Sequence, residues 1–445
     1  MNSTGRIHLA MIIFASLIFG GCKAAESVTA YEAPVKEAVT APITREPANE
    51  TIRFLEDRIK RDPDDFIAHN KLVSEYLQRL RETGDVTYLD LANRSAVASL
   101  NVLPAEQNKG GLTALIQVQF ASHEFAKARD NAKRLIQIDV NKGYPFQFLG
   151  DALLELGQYE EAEAAFQQFE RLGSAQGLTR VAVEQRYARL ALLRGDKDRA
   201  VKYFSEALNM AKAMFEPPRE TVAWCQWQLG EVALSKGDLT IAEKHLQDSL
   251  QTFPDYYRSL ASLGQLRAAQ GKINESIELY EKAVRILPDP GYVASLGDLY
   301  KLSGRPGDAE KQYALVETIG RLNTLSGTLY NRQLALFYAN HDLKPDEAYK
   351  QAAAEYETRR DIYGADALAW TALKAGKIEE AQAAIKEALK LGTKDAKLFY
   401  HAGMIERAAG NTAEAKRLLT LALKTNPGFD PVQSTIAKAA LEELK

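Results

Sequence analysis

The sequence predicts an all-α fold, a right-handed α-solenoid of about ten helix-turn-helix units. From about Thr51 onward, apolar residues recur every three or four positions with few β-branched runs, which is typical of amphipathic helices. A small residue, nearly always alanine, returns about every 34 to 42 residues in the same setting. The ten positions are Ala92, Ala128, Ala162, Ala200, Ala242, Ser276, Ala309, Ala348, Ala381 and Ala415. Because such a period is typical of helix pairs that stack to bury their apolar faces, we expect one continuous array.

Residues 1–21 are predicted to be a signal peptide of the lipoprotein type. The apolar run from Leu9 to Phe19 is too short to span a bilayer. The segment that ends at Gly20, Gly21 and Cys22 resembles a bacterial lipobox, in which the cysteine is acylated and becomes the mature N-terminus. Phe19 departs from that motif, which usually has leucine there. We expect Cys22 to carry a lipid; the alternative is an ordinary secretory signal with an incidental cysteine.

The residues after Cys22 predict how the folded part is held at a membrane. In Gram-negative lipoproteins an aspartate in the next position favours retention in the inner membrane, so Lys23 favours the outer membrane, facing the periplasm. Residues 22–49 are rich in Ala, Thr, Val, Glu and Pro and show no persistent period, which predicts a disordered tether. A flexible coil of this length would span about 30 Å on average.

Residues 50–429 are assigned to the array, with a leading helix over 52–60, and residues 430–445 to a capping helix that closes it. In five units the small site of the first helix is glycine: Gly150, Gly230, Gly264, Gly297 and Gly403. Because glycine in a helix costs about 1 kcal/mol relative to alanine, we expect the backbones to approach closely at these sites. Large residues one turn after the alanines are expected to fill the space: Phe166, Phe204, Leu246, Tyr280, Tyr313, Ile385 and Leu419. Glycines that precede a polar residue are expected to cap first helices: Gly157, Gly195, Gly237, Gly271, Gly376 and Gly410.

The repeated stretches resemble tetratricopeptide repeats (TPR). The resemblance is clearest in LGDALLELGQYEEAEAAF (149–166) and LGEVALSKGDLTIAEKHL (229–246), and it covers nearly the whole chain after the tether. Residues 366–381 and 391–411 look like a widespread group of bacterial multi-repeat proteins, a resemblance that implies the fold and no enzymatic activity. Two spacings are irregular, with extra residues around 210–219 and 322–332.

Composition and motifs point away from catalysis and nucleic acid. The net charge is -3, and acids and bases are interspersed without a broad basic field. The six histidines lack metal-pair spacing, and phosphate-loop, dinucleotide and nucleophile-elbow motifs are absent. We therefore expect no enzyme, cofactor or metal. Cys225 is expected to be a small buried residue, with a reactive thiol as the alternative.

Binding is expected on the concave face, which the first helices of successive units form. The candidates are Tyr144, Gln147, Asp151, Arg189, Trp224, Trp227, Glu231, Arg258, Asp298, Lys301, Arg332 and Tyr400. Trp224 and Trp227 share one helical face, which suits an interface hot spot and equally suits packing between units. The arginines and Lys301 could clamp an acidic peptide, or stand solvated among the interleaved acids.

Two functions from different classes fit these features. The first is a lipid-anchored envelope protein whose solenoid binds protein segments as a scaffold or as an assembly or co-chaperone factor. The alternative is an exported accessory protein that binds cell-wall glycan or polysaccharide. In that case Trp224, Trp227, Tyr144 and Tyr400 would act as stacking platforms.

Overall fold

The computed structural model describes residues 50–174, 176–325 and 332–444. The predicted signal peptide, the lipidated Cys22 and the tether lie outside these residues. The described part contains 22 helices and no strand. No helix in the described ranges is long and apolar enough to cross a membrane.

The helices follow one another as antiparallel pairs, as the sequence predicts. The first eleven are α1 (Glu50–Arg61), α2 (Phe66–Thr83), α3 (Thr87–Val102), α4 (Lys109–Ala121), α5 (Phe125–Ile138), α6 (Tyr144–Glu155), α7 (Tyr159–Leu172), α8 (Gly177–Leu193), α9 (Lys197–Lys212), α10 (Arg219–Ser235) and α11 (Leu239–Thr252). The others are α12 (Tyr257–Ala269), α13 (Ile273–Ile286), α14 (Pro290–Leu302), α15 (Pro306–Leu325), α16 (Arg332–Asn340), α17 (Pro345–Thr358), α18 (Ile362–Lys374), α19 (Ile378–Leu389), α20 (Ala396–Ala408), α21 (Thr412–Thr425) and α22 (Gln433–Glu443). Units 1 to 10 are the pairs from α2–α3 to α20–α21, with α1 before them and α22 after them.

Within each unit, small residues bring the two helices together. All ten recurring alanine or serine positions are at most 2% exposed. A Cβ placed on any of the five helical glycines would come within 3.0 Å of the large side chain expected to fill the space. At Gly150, for example, that side chain is the ring of Phe166. The prediction of close approach is therefore confirmed, and it explains why glycine is retained despite its helix cost.

The turns within units are closed as expected. The six predicted cap glycines all have φ between 72° and 80°, a left-handed conformation that disfavours residues with a Cβ. Cys225 is fully buried, and burial raises the pKa of its thiol to about 11. Cys225 is therefore a packing residue and not a reactive thiol.

Contacts between distant units close the superhelix on itself. Three hydrogen bonds join the turns within units 3, 4 and 5 to the chain segments that directly follow units 8, 9 and 10. We call this line of contacts the seam. The Ile362 amide donates to the Tyr159 hydroxyl at 2.8 Å, the Thr393 hydroxyl to the Leu193 carbonyl, and the Asn426 side chain to the Leu234 carbonyl at 2.9 Å. Gly157 lies so close that a Cβ on it would collide with the Arg360 carbonyl oxygen. Successive turns of the array are thus in backbone contact, and five units complete one turn.

Candidate functional site

The first helices of units 1 to 6 surround a set of cavities inside the superhelix. The largest has a volume of about 920 Å³ and also receives Arg359 from unit 8. Two neighbouring cavities of about 530 and 400 Å³ share Trp224 and Arg258 with it. We call these three cavities together the inner chamber. Its size is in the range of a ligand site for a peptide side chain or a small molecule.

Aromatic rings and an arginine meet where the three cavities join. The Arg258 guanidinium carbon lies 5.3 Å from the Trp227 ring centroid and 5.1 Å from the Tyr257 ring centroid, within cation–π range. Trp227 donates its indole N–H to the Ser262 hydroxyl at 2.9 Å, and Trp224 meets Trp227 edge-on with centroids 6.3 Å apart. No carboxylate in the described part of the chain forms an ion pair with Arg258. The rings orient its charge, and the Glu220 carboxylate in the wall of the same cavity acts on it from beyond ion-pair distance.

A buried ionic cluster forms one wall of the chamber, at the seam. Glu155 accepts hydrogen bonds from both Arg189 and Arg359, which belong to units 4 and 8. Burial alone would raise the pKa of Glu155, but the charges of the two arginines outweigh it and lower this pKa to about 2. Arg359 also lies 3.2 Å from Asp361, and its guanidinium carbon is 4.9 Å from the Phe125 ring centroid. The cluster therefore ties units 2, 3, 4 and 8 together beside the chamber.

The structure places six of the twelve candidate residues on the chamber. The six are Gln147, Asp151, Arg189, Trp224, Trp227 and Arg258. Asp151 is paired with Arg186 at 2.5 Å, so it contributes no free charge. Trp224 and Trp227 are half-buried: both line the chamber and both also pack against neighbouring residues.

The other six candidates lie elsewhere, which corrects the projection of single helices. Tyr400 is 2% exposed and packs against Trp370 and Phe429, so it belongs to the core and not to the concave surface. The Tyr144 hydroxyl donates to Asp139 at 2.7 Å, and its ring packs on Phe148. Tyr144 and Tyr400 are therefore two of the four proposed glycan-stacking residues that do not line the chamber.

Three of the remaining candidates are charged residues outside the chamber. Glu231 is half-buried, and one of its carboxylate oxygens has no hydrogen-bond partner among the described residues. Lys301 is exposed. Arg332 is paired with Glu355 at 2.6 Å and with Asp361 at 2.7 Å, and lines a separate small cavity. Of the four cationic residues that could form a clamp, Lys301 and Arg332 thus lie outside the chamber, whereas Arg189 and Arg258 line it.

The last candidate, Asp298, holds a histidine of the next unit. The His341 ring places Nε2 2.7 Å from an Asp298 carboxylate oxygen and Nδ1 2.8 Å from the Phe337 carbonyl. Both neighbours are acceptors, so the ring can donate to both only as an imidazolium. Burial lowers the pKa of His341, but its hydrogen bond to the Asp298 carboxylate and the negative charge of that carboxylate raise it more, and the net shift is upward.

This arrangement predicts a pH dependence of stability. Because the folded-state pKa of His341 is raised, its contribution is complete below about pH 6.5 and is lost as the pH rises through the folded-state pKa. We expect the difference in urea midpoint between the unmodified chain and His341→Gln to shrink from about pH 6 to about pH 9. A difference that stays constant over this range would contradict the doubly donating ring.

Several chamber residues escaped the sequence-based projection. Arg186 and Glu155 lie one helical turn from the predicted Arg189 and Asp151, so the same helix faces carry the signal that could have found them. Tyr363 is 42% exposed, and yet its hydroxyl pKa is raised, chiefly by desolvation, because protein surrounds the space it projects into. Arg359 gives no local signal, since the seam alone brings it to the chamber.

Comparisons with known proteins agree with this architecture. Models of the tetratricopeptide repeat match residues 146–172, 178–255, 228–289 and 367–428, so these stretches carry tetratricopeptide repeats. No curated protein matches the chain.

Solved structures that are similar to the chain share little sequence with it. One is PilW, described as a widely conserved type IV pilus biogenesis factor, at TM-score 0.39 and 15% identity, covering 46% of this chain and 91% of PilW. A tetratricopeptide repeat protein from Parabacteroides merdae gives TM-score 0.33 and 18% identity, covering 59% and 98%. The human IFIT1 dimer with PPP-AAAA gives TM-score 0.43 and 14% identity, covering 84% and 94%. These similarities carry no information on the ligand of this chain.

Proposed function

We propose that the inner chamber binds a segment of a partner protein, so that the chain acts as a scaffold or as an assembly or co-chaperone factor and not as an enzyme. Tetratricopeptide repeats are protein-interaction modules, which supports the class of partner. The observation that carries the proposal is Arg258, which lies between two aromatic rings at the junction of three cavities and forms no ion pair with any described residue.

The chemistry of the chamber indicates what such a segment offers. Trp224 and Trp227 present large apolar surfaces of the kind that dominates binding energy at interfaces. The four acids that line the chamber, Asp151, Glu155, Glu220 and Asp361, each lie within 4.0 Å of an arginine nitrogen, so Arg258 is the charge left to recognise a ligand. A segment with an apolar or aromatic side chain next to an acidic group or a carbonyl oxygen fits these contacts.

Removing the two indoles tests this proposal. We expect Trp224→Ala combined with Trp227→Ala to weaken partner capture at least about 30-fold, because a hot-spot residue contributes about 2 kcal/mol or more. Proteins captured from membranes of the source organism would be quantified by mass spectrometry with each variant as bait. Ile241→Ala, at an exposed site outside the chamber lining, is the control and should capture the same proteins as the unmodified chain. Equal recovery with the double variant would contradict the proposal.

The glycan alternative retains one supporting observation, the two indoles on the chamber wall. It requires purified array to bind cell-wall or polysaccharide fractions, and to lose that binding when Trp224 and Trp227 are both changed to alanine. Binding to these fractions without any protein partner would favour it over the first proposal.

We also propose that a lipid on Cys22 anchors the chain to the outer membrane, facing the periplasm. The lipobox resemblance supports the lipid, and Lys23 after the cysteine supports the outer membrane. We expect Cys22→Ala to move the chain from the membrane to the soluble fraction, because the acyl chains provide the membrane affinity. Cys225→Ala is the matched control and should stay with the membrane. If Cys22→Ala still sediments with membranes and resists high salt, the lipid anchor is wrong.

A further inference from the structure

A second, smaller cavity lies on the concave side of units 8 to 10. Its volume is about 180 Å³, and its lining comes from the first helices α16, α18 and α20 and from the closing helix α22. Tyr363 lines both this cavity and the inner chamber. The cavity is smaller than the roughly 300–1,000 Å³ of a drug-sized site, and suits a single side chain or a small ion.

A fixed chain of hydrogen bonds orients one polar side chain of this cavity. The Trp370 indole N–H donates to Asn340 Oδ1 at 2.8 Å, and Gln433 Nε2 donates to the same oxygen at 2.7 Å. Because an indole nitrogen can only donate, Asn340 must present its oxygen to it, and Gln433 must then present its NH₂ group. Gln433 Oε1 is thereby fixed as an acceptor, and it has no hydrogen-bond partner among the described residues.

A buried aspartate–histidine pair supplies a second acceptor. His401, 3% exposed, places Nδ1 2.8 Å from an Asp366 carboxylate oxygen and stacks on the Trp370 ring at 4.2 Å between centroids. The ring tautomer that has its hydrogen on Nδ1 donates it to Asp366 and carries a lone pair on Nε2, and Nε2 likewise has no partner in the described ranges. An unsatisfied buried polar atom is costly, so two of them in the walls of one cavity point to a ligand that donates hydrogen bonds.

The charges around the cavity favour a cation. Its two cationic residues are already engaged by carboxylates outside the lining: Arg332 by Glu355 and Asp361, and Lys397 by Asp430 at 3.7 Å. Its two carboxylates accept hydrogen bonds, but neither pairs with a lysine or arginine among the described residues. Asp366 accepts from the His401 ring, and Asp395 accepts from the Lys397 and Leu398 backbone amides at 2.8 and 3.4 Å.

We propose that this cavity binds a guanidinium group, either of an arginine side chain in a bound polypeptide or of free arginine. A guanidinium is flat, positively charged and rich in N–H donors, which matches the acceptors His401 Nε2 and Gln433 Oε1 beside the two carboxylates. Leu336 and Leu398 provide apolar wall for its plane or stem. Where the arginine belongs to a polypeptide, this inference rests on the proposed function.

The test uses the full-length chain labelled with 5-fluorotryptophan, which gives one fluorine signal for each of the three tryptophans. Single Trp→Phe variants assign the signals. We expect L-arginine amide to shift the Trp370 signal saturably. L-Citrulline amide, which has an uncharged side chain of the same shape, should bind at least about tenfold more weakly. Gln433→Leu should weaken binding of arginine amide at least about tenfold, whereas the same change at the exposed Gln247 should leave it unchanged.

Three outcomes would overturn the inference. The first is no saturable shift of the Trp370 signal with either arginine amide or an arginine-containing peptide, as expected if the cavity holds only water. The other two are equal binding of citrulline amide and unchanged binding in Gln433→Leu. An arginine-containing peptide that shifts Trp370 when free arginine amide does not would assign the guanidinium to a polypeptide source. The Trp224 and Trp227 signals report the inner chamber separately, so a partner segment that shifts them without Trp370 upholds the proposed function and rejects this site.

Discussion

Replacing Phe166 with alanine is expected to lower the free energy of unfolding by about 3–5 kcal/mol, the range for a large buried aromatic residue. Phe166 is 1% exposed, and its ring occupies the space that a side chain at Gly150 would need. In other units too, a glycine of the first helix faces a large side chain of the second helix. The loss of stability in unit 3 therefore tests the packing that stabilises the whole array.

Gly150, which contacts the Phe166 ring, gives a second test. The effect of Gly150→Ala on stability should change sign when Phe166 is replaced by alanine. In the unmodified chain Gly150→Ala should be destabilising by about 1–3 kcal/mol, since the added methyl group overpacks against the Phe166 ring. In the Phe166→Ala background the same change should be stabilising by up to about 1 kcal/mol, because the space is vacant and alanine favours the helix. Urea or thermal unfolding of the four chains measures the cycle.

Gly307→Ala provides the matched control for this cycle. Gly307 lies in the first turn of α15 with no atom within 4 Å of the added Cβ, so this change should not be destabilising. If Gly150→Ala stabilised the unmodified chain, close approach would not be the reason for glycine at these sites.

Arg359→Ala is expected to lower the free energy of unfolding by about 3 kcal/mol, the lower end of the range for breaking a buried ion pair, since Arg189 remains beside Glu155. The change leaves Glu155, Glu355 and Asp361 with less compensation and removes a contact between units 3 and 8. We expect Glu155→Gln in the Arg359→Ala background to recover part of the loss, because an amide is less costly to bury than an unpaired carboxylate.

The neighbouring residue is the control for this prediction. The Arg360 side chain is 64% exposed and pairs with the exposed Glu357 at 3.4 Å, so Arg360→Ala should change stability by less than about 1 kcal/mol. Small-angle scattering should show a larger radius of gyration for Arg359→Ala if the seam opens. Equal effects of the two alanine variants would contradict the role given to the cluster.

The cluster also predicts acid sensitivity. The pKa of Glu155 is about 2 in the folded chain, below the value of about 4.3 for an unfolded glutamate. The contribution of Glu155 is therefore complete above about pH 4.3 and is lost as the pH falls towards about 2. The difference in stability between the unmodified chain and Glu155→Gln should decrease over that interval and stay constant above it.

The sequence was sufficient to predict features that depend on neighbouring residues. The helix pairs, the turn glycines and the contact of Gly150 with Phe166 follow from local spacing, because each unit packs mainly on itself and its neighbours. The same spacing wrongly predicted that Tyr400 lies on the concave surface. The angular position of a residue on one helix does not show whether a neighbouring helix covers it. Tyr400 is covered by Trp370 and Phe429.

The candidate site could be predicted only in part, for a different reason. Half of the candidates line the inner chamber because they project from first helices, which the repeat pattern identifies. Arg359 lies on a loop about 200 positions from Glu155, and their contact depends on the small rotation between units summed over five of them. No local pattern encodes that sum. Arg332 pairs with Asp361, 29 positions away in the loop that follows the same unit, and the position of Arg332 on its own helix does not reveal that contact.

Site-specific photo-crosslinking tests the central claim most directly, the claim that a partner segment occupies the inner chamber. In the full-length chain, expressed in its source organism, a photoreactive phenylalanine analogue would replace one of two glutamines. Gln228 lines the chamber, and Gln247 is exposed on α11 outside the chamber lining. The predicted result is a protein adduct from position 228 that is absent from position 247 and is lost when Trp227→Ala is added. Adducts of equal yield from both positions, or adducts at 228 that persist with Trp227→Ala, would contradict the claim.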